Sequence, residues 1–552
     1  MTEQILPKIT VFLKKNKTQI LIPLATLIIL YFMGLLMFAS IINDASTSDE
    51  PPHILSGYAA LKYGHDYIDP EHPLFAKSLA AAPLLFQDIK LDRTDPGYAN
   101  QKNDFDIGKM FGASRRFLNY SGNDPDGILL STRIPMIMLT VFFGVIIFLF
   151  TKKLFGSIAA FIATFFFATE PNILAHGSLV NTDLAASGFV VMTVFALWIY
   201  YEKQSTKRLV FLILSLSLAL LSKYSTFVIF PLILISMITI YLTQSRKPWK
   251  HLIYTVIGVL LIISLFYGVL SFRDRGILGF LPIQYFTGLA IVLDELSGDL
   301  RFSYLLGESY YGSRWYYFPV LFLAKTQITT LLSLLLFVIY IITKKINLSR
   351  KQLFLILLIP ITFFGLALTT KFNIGVRHIL PIYPFIFIFG AGALVTLIRL
   401  MQKATKKKIS LAGITLIILI IVVARSWSSV STFPGYLSYY NIAFGGTENG
   451  WKVSNDSNYD WGQDIKRLDE YVRNNNIESI ALDNYTGHYS SEYYNIPTTN
   501  LTPNDTNYKG YLALSTSVIA FNEDSEKNYS WVIDKYKPIA KAGYSIFIYK
   551  IE

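Results

Sequence analysis

Apolar positions in this chain come in long blocks rather than in alternation. Runs at 18–43, 129–150, 155–169, 184–201, 208–222, 225–243, 251–271, 316–343, 351–369, 375–398 and 409–430 carry almost no charge. A helix crosses hydrocarbon with ~17–25 apolar residues, so the pattern predicts about eleven transmembrane helices, with 155–169 and 208–222 the shortest. The chain divides into an N-terminal segment 1–17, a transmembrane domain 18–430 and a tail 431–552. The long polar connections are 44–128, 170–183 and 272–315. Inside 272–315 the stretch GFLPIQYFTGLAIVL is apolar enough to lie in the interface or re-enter. In the tail, Trp461, Ile465, Leu468 and Val472 recur at helical spacing. IESIALD, GYLALSTSVIAF and YSIFIYKI then read as strands, which makes the tail a small α/β domain.

Composition agrees with an α-helical polytopic membrane protein. The chain is 53% hydrophobic and 16% charged, against about a quarter charged in soluble domains. It has no cysteine, which excludes disulfides, thiolate catalysis and cysteine-bound metal clusters. The run Ile20–Ile42 has no small-residue cleavage pattern after it and reads as a retained anchor. Lys8, Lys14, Lys15 and Lys17 precede it. Further basic residues fill alternate connections: Lys152 and Lys153; Lys203, Lys207 and Arg208; Arg246, Lys247 and Lys250; Lys344, Lys345, Arg350 and Lys351; and Arg399 to Lys408. Glu3 and Glu202 are the acids among them. By the positive-inside rule these are cytoplasmic, the N-terminus is inside, and the tail and the long connections are outside. The net charge of +12 is therefore a topology signal rather than a nucleic-acid footprint.

Candidate chemistry gathers in the first long connection, in Asp49–Lys77, which holds three of the seven histidines. Asp49 can cap a helix that tolerates Pro51 and Pro52 in its first turn. A second start falls at Pro70-Glu71-His72-Pro73, before the apolar LFAKSLAAAPLLF. Two short amphipathic helices along the membrane surface would form a charged ledge. The spans hold almost no ionisable residues; charge sits instead at their outer ends, as at His176, Asp183, Lys223, Lys371, Arg377 and His378. That suits surface chemistry better than a solute path. No glycine-rich phosphate loop or HExxH pattern occurs, and DSNYDWGQD lacks the glycine and glutamate of a calcium loop. That segment reads as packing the tail onto the membrane part, with Trp461 as anchor.

The motifs DEPPHILSGYAALKYG…DPEHPLFAKSL, EPNILAHGSLVNTD, LSKYS, LLGESYYGSRWYYFPVLFLAKT, IGVRHILPIYPF and PGYLSYYNIAFGGTENGWKVSNDSNYDWGQDIKRL occur in that order over about residues 45–470. Together they resemble bacterial members of the dolichyl-phosphate-mannose–protein mannosyltransferase-like family, glycosyltransferases of the GT-C fold. The resemblance implies inverting transfer of a mannose-like hexose from a polyprenyl-phosphate sugar to a hydroxyl of a protein, lipid or glycan acceptor. It places the reaction at the outer face of the plasma membrane. It assigns Asp49 as general base beside Glu50, with a carboxyl raised by partial desolvation. Lys77 and Arg377, with Lys223 and His378 behind them, would hold the donor phosphate. His53, Glu71, His72 and Asp183 would face substrate. No cofactor is required; a divalent metal at Glu71 and His72 is the alternative. Plainer roles stay open: helix capping for Asp49 and Asp183, snorkelling for Lys223 and Arg377. The rival functions are a lipid-linked-sugar flippase or a silent scaffold.

Overall fold

The structure, a computed structural model, describes residues 17–99, 101, 105–244, 248–297, 302–404, 407–484, 489–499, 501, 505–521 and 529–552. Glu3, Lys8, Lys14, Lys15, Arg246, Lys247 and Lys406 lie outside the described residues. Every apolar block is helical. Among the described residues, eight helices are long and apolar enough to cross a membrane. A ninth forms if Tyr317–Lys325 and Ile328–Ile342, bent by 114° at their junction, count as one span. The expected number was higher because two blocks are short helices. Ser157–Ala168 and Thr206–Leu220 have 12 and 15 residues. At about 1.5 Å per residue they reach roughly 18 and 22 Å, short of a ~30 Å core. At the bend, Asn441 Nδ2 donates to the Leu323 and Thr326 carbonyls, at 2.6 and 2.9 Å. It thereby satisfies groups that the helix break would leave orphaned.

Val376–Lys403 and Asp183–Glu202 form the centre of the bundle, with 94% and 83% of their apolar windows buried. Leu411–Thr432 is peripheral, at 11%. It is held by Arg425, fully buried, which donates to Thr169 Oγ1, Thr330 Oγ1 and the Phe166 carbonyl and lies 3.6 Å from Glu170. A charge at such depth persists only when paired.

One end of the bundle carries the long connections. Glu50–Tyr63 and Leu74–Ala81 pack face to face there. Gly57 permits the contact: a Cβ on it would lie 2.2 Å from the Lys77 carbonyl oxygen. The apolar stretch of the third connection is the helix Ile283–Ser297. It rests on the first connection through Gly288, where a Cβ would meet the Pro70 carbonyl oxygen at 2.2 Å. A hairpin follows, β1 (Phe302–Leu305) against β2 (Glu308–Tyr311).

The tail has the expected mixed character. Its strands are β3 (Ile480–Asp483), β4 (Thr498–Thr499), β5 (Gly510–Ser515), β6 (Ala540–Ala542) and β7 (Ile546–Ile551). They form one sheet in the order β4-β3-β5-β7-β6. Pairs β4-β3 and β3-β5 are parallel; β5-β7 and β7-β6 are antiparallel. GYLALSTSVIAF is a strand only to Ser515, where Thr516–Ala520 turns helical. The helix Ile465–Asn474 buries Ile465, Leu468 and Val472 against the sheet core. The tail sits on the same end as the long connections. Ala45 N donates to the Gln463 carbonyl at 2.9 Å, Ser48 N to the Trp461 carbonyl at 3.0 Å, and Arg467 pairs with Asp44 at 2.6 Å.

Gly57→Ala is expected to destabilise the detergent-solubilised protein by about 1–3 kcal/mol, because a backbone carbonyl must move. Gly365→Ala, on a helix face with nothing within 4 Å, is the control. Thermal unfolding followed by fluorescence compares them; equal midpoints would show that the close approach is not needed.

Candidate active site

Asp49 stands at the N-cap of Glu50–Tyr63, yet its side chain caps nothing. The sequence supplies the reason. An N-cap carboxylate normally accepts from the N–H groups of the second and third helical residues. Here those residues are Pro51 and Pro52, which have none. The carboxylate turns instead to Arg377, whose Nη1 donates to Asp49 Oδ2 at 2.5 Å. Arg377 lies on the turn Val376–Ile382 and also approaches Asp183 Oδ2 at 3.9 Å. Asp183 opens the central helix Asp183–Glu202 and accepts from Lys223 Nζ through Oδ1. Asp49, Arg377, Asp183 and Lys223 thus form a row of alternating charge drawn from four separate segments.

The tail closes this row from one side. Trp461, 1% exposed, lies under Arg377, with the guanidinium carbon 4.5 Å from the ring centroid. Asn458 Oδ1 accepts from Val376 N at 2.8 Å, and Ser457 Oγ donates to the Ile374 carbonyl at 2.7 Å. A Cβ on Gly375 would strike Ser457 Oγ at 2.2 Å, so only glycine lets the tail reach so close. The DSNYDWGQD segment anchors the tail, as its sequence suggested, and it also shapes the site. His378 is half-buried beside Phe318, and its Nε2 is buried without a partner.

A second group lies past His53. Lys77 Nζ, fully buried, donates to the Asp69 carbonyl at 2.6 Å and to its Oδ2 at 3.0 Å. His53 Nε2 and His72 Nδ1 each lie 3.8 Å from an Asp69 oxygen. Glu71 is half-buried, close enough to Lys77 to favour its charged form. Lys77 therefore has an internal acid, whereas Arg377 is the cation bound to Asp49. Side-chain exposure separates inner from outer groups. Asp69, Asp183 and His53 are at 2–4%, whereas Asp49 and His72 reach 20% and 25%.

Two expectations need correction. Burial pushes the Asp49 carboxyl up, but the Arg377 guanidinium, helped by His53, pulls it down further. Its pKa is therefore lowered from the ordinary value, not raised. Glu50 is not available for chemistry. Its Oε1 accepts from Arg133 Nε at 2.8 Å and Val180 N at 3.0 Å. Its Oε2 accepts from Arg133 Nη2 at 2.6 Å, and from Thr47 N and Oγ1 at 2.9 and 3.1 Å. Five donors saturate a carboxylate that offers about four lone-pair sites. Arg133, Asp69 and Trp461 were not readable as parts of the site. Arg133 is a lone cation inside an apolar run, and its value depends on a partner 83 residues away.

Residues 128–272 match the family model described as dolichyl-phosphate-mannose-protein mannosyltransferase. The matched region includes Arg133, Asp183 and Lys223. Among solved structures, the archaeal oligosaccharyltransferase AglB from Archaeoglobus fulgidus, in complex with an inhibitory peptide and a dolichol-phosphate, superposes with TM-score 0.50 at 12% identity. That match covers 96% of this chain and 74% of that one. ArnT from Cupriavidus metallidurans bound to undecaprenyl phosphate matches with TM-score 0.47 at 10% identity, over 97% and 98% of the two chains. No curated protein matches the sequence. The chain shares the fold of the archaeal oligosaccharyltransferase.

Burial pushes the Glu50 carboxyl up, and Arg133 pulls it below its ordinary 4.5. Its stabilisation is then full above pH 4.5 and lost as pH falls through the lower folded value. Glu50→Gln leaves Arg133 buried and uncompensated, at a cost of about 3–5 kcal/mol at neutral pH. The gap in melting temperature between wild type and variant should narrow as the pH falls below 4.5. A constant gap would show that the pair's charge is not what matters.

Proposed function

We propose that the protein is an inverting glycosyltransferase that moves a mannose-like sugar from a polyprenyl-phosphate donor to an acceptor hydroxyl at the outer face of the plasma membrane. The N-terminus is then cytoplasmic and the tail domain extracytoplasmic. The acceptor is a protein, lipid or glycan hydroxyl. The carrying observation is the bond between Asp49 and Arg377 at the exposed edge of a buried row of charge. The family-model match over residues 128–272 and the fold shared with the archaeal oligosaccharyltransferase support the same reading.

The acceptor oxygen attacks the anomeric carbon from the face opposite the phosphate, and the carbon–oxygen bond to the phosphate breaks. The acceptor proton passes to Asp49; the electron pair leaves with the lipid phosphate, which needs no separate acid because it departs ionised. Arg377, with Lys223 behind it, neutralises that phosphate. Before donor binds, Asp49 occupies Arg377 and is a weak base. A donor phosphate competes for the guanidinium, so its arrival frees the carboxylate and raises its basicity. Glu71 and His72, on the neighbouring ledge, face the sugar or acceptor. Arg133 and Arg425 are both locked in buried ion pairs, which favours a transferase over a flippase with a polar path through its spans.

Purified full-length protein in detergent, given polyprenyl-phosphate-mannose and a candidate acceptor extract, tests this. Asp49→Asn should lower the transfer rate by about 10²-fold or more, with an unchanged size-exclusion profile. Near-normal transfer by that variant would remove Asp49 as the base.

A further inference from the structure

His53, Asp69 and His72 are close together, and the transfer chemistry above needs no such arrangement. His53 projects from the helix Glu50–Tyr63, and Asp69 and His72 from the loop after it. His53 Nδ1 lies 2.9 Å from the Val180 carbonyl oxygen. A carbonyl oxygen only accepts, so Nδ1 carries the hydrogen and the neutral ring presents a lone pair at Nε2. That lone pair faces Asp69 Oδ2 at 3.8 Å, too far for a hydrogen bond. His72 Nδ1 stands 3.8 Å from Asp69 Oδ1, and the two imidazole rings meet edge to face at 5.0 Å. Asp69 is 2% exposed, and its Oδ1 is buried with no hydrogen-bond partner. A buried carboxylate oxygen without a donor carries a large desolvation penalty. One ligand atom from each residue lies within 4.8 Å of the others. Lys77 is bonded to Asp69 through Oδ2, and Oδ1 on the His72 side has no such partner.

We propose that His53, Asp69 and His72 bind a divalent transition-metal ion of the zinc class. Zinc bonds of about 2.0–2.2 Å place tetrahedral ligand atoms roughly 3.4 Å apart. The ligand atoms, within 4.8 Å of one another, must draw together by up to about an ångström, which His72, a quarter exposed on its loop, can supply. Two imidazoles and one carboxylate suit zinc, cobalt or iron(II) rather than magnesium or calcium. The outer hydrogen bond is already in place, since metal-bound histidines commonly donate their second ring N–H to a carbonyl. Lys77 plays a similar part for Asp69 by holding Oδ2 at 3.0 Å, which leaves Oδ1 for the ion. Its charge opposes a second cation, but Asp49 and Glu71 stand close enough to His53 and Lys77 to offset it. Three protein ligands leave a coordination position open for an anionic or hydroxyl oxygen. The set differs from the Glu71 and His72 pair that the sequence offered, because Asp69 takes the place of Glu71. The proposal goes beyond the transfer reaction, which relies on Asp49, Arg377 and Lys223 and stands whether or not an ion binds.

Cobalt(II) chloride is the probe, added to chelator-treated full-length protein in detergent. One cobalt per chain should bind, give a visible ligand-field absorption and be displaced by zinc. His72→Ala, a change at a quarter-exposed side chain, should weaken cobalt binding by about tenfold or more with an unchanged size-exclusion profile. His53→Ala combined with His72→Ala should abolish it. Glu71→Gln should leave it in place. No stoichiometric cobalt absorption, an absorption that the double variant retains, or one that only Glu71→Gln removes would each overturn the proposal.

Discussion

Arg133 and Glu50 meet at 1% exposure each, and the rest of the site is hung on that contact. Arg133 rises from the span Pro125–Phe155 and grips the Glu50 carboxylate with two nitrogens. Its other bonds go to the carbonyls of Ile41, Asp44 and Ala45, where the first span ends. A helix C-terminus presents unsatisfied carbonyls and partial negative charge, so a guanidinium is well suited to it. Glu50 passes the constraint on through Thr47 and Val180. One buried pair thereby fixes the exit of the first span, the start of the ledge helix and the second long connection. Neither charge can be released into the apolar surroundings without a large penalty, so the arrangement has little freedom.

From that fixed point the neighbouring residue follows. Asp49 precedes Glu50, so its backbone is set, and the two prolines after it deny its side chain the usual capping partners. Its partner is Arg377, which arrives from 328 residues away. The tail contributes the wall beneath it, through Trp461 and the bonds of Ser457 and Asn458. A segment that looks peripheral in the chain order is in this way part of the candidate site. Its sheet core lies away from the chemistry; its first segment does not.

Legibility followed the range of the interactions. The spans could be read because hydrocarbon imposes a length and a polarity on each of them. The gathering of long connections at one end followed from alternation, and hydrogen bonds between those connections and the tail bear it out. Asp49 stood out by its motif, whereas its freedom from capping emerged only from the placement of Pro51 and Pro52 at the second and third helical positions. Asp69 was passed over because nothing local distinguishes it from Asp66, and only folding places it between Lys77 and two histidines. Glu50 was misread because its partner lies on another span. The direction of the Asp49 pKa was misread for the same reason: desolvation is visible from composition, whereas Arg377, which together with His53 and His72 outweighs it, comes from 328 residues away.

The account stands on Arg377 being shared between Asp49 and a lipid phosphate. A structure of the full chain with polyprenyl phosphate bound tests this most directly. It should show phosphate oxygens within about 3 Å of the Arg377 guanidinium, with Asp49 no longer bonded to it. A phosphate bound elsewhere, with the Asp49–Arg377 bond intact, would contradict the account.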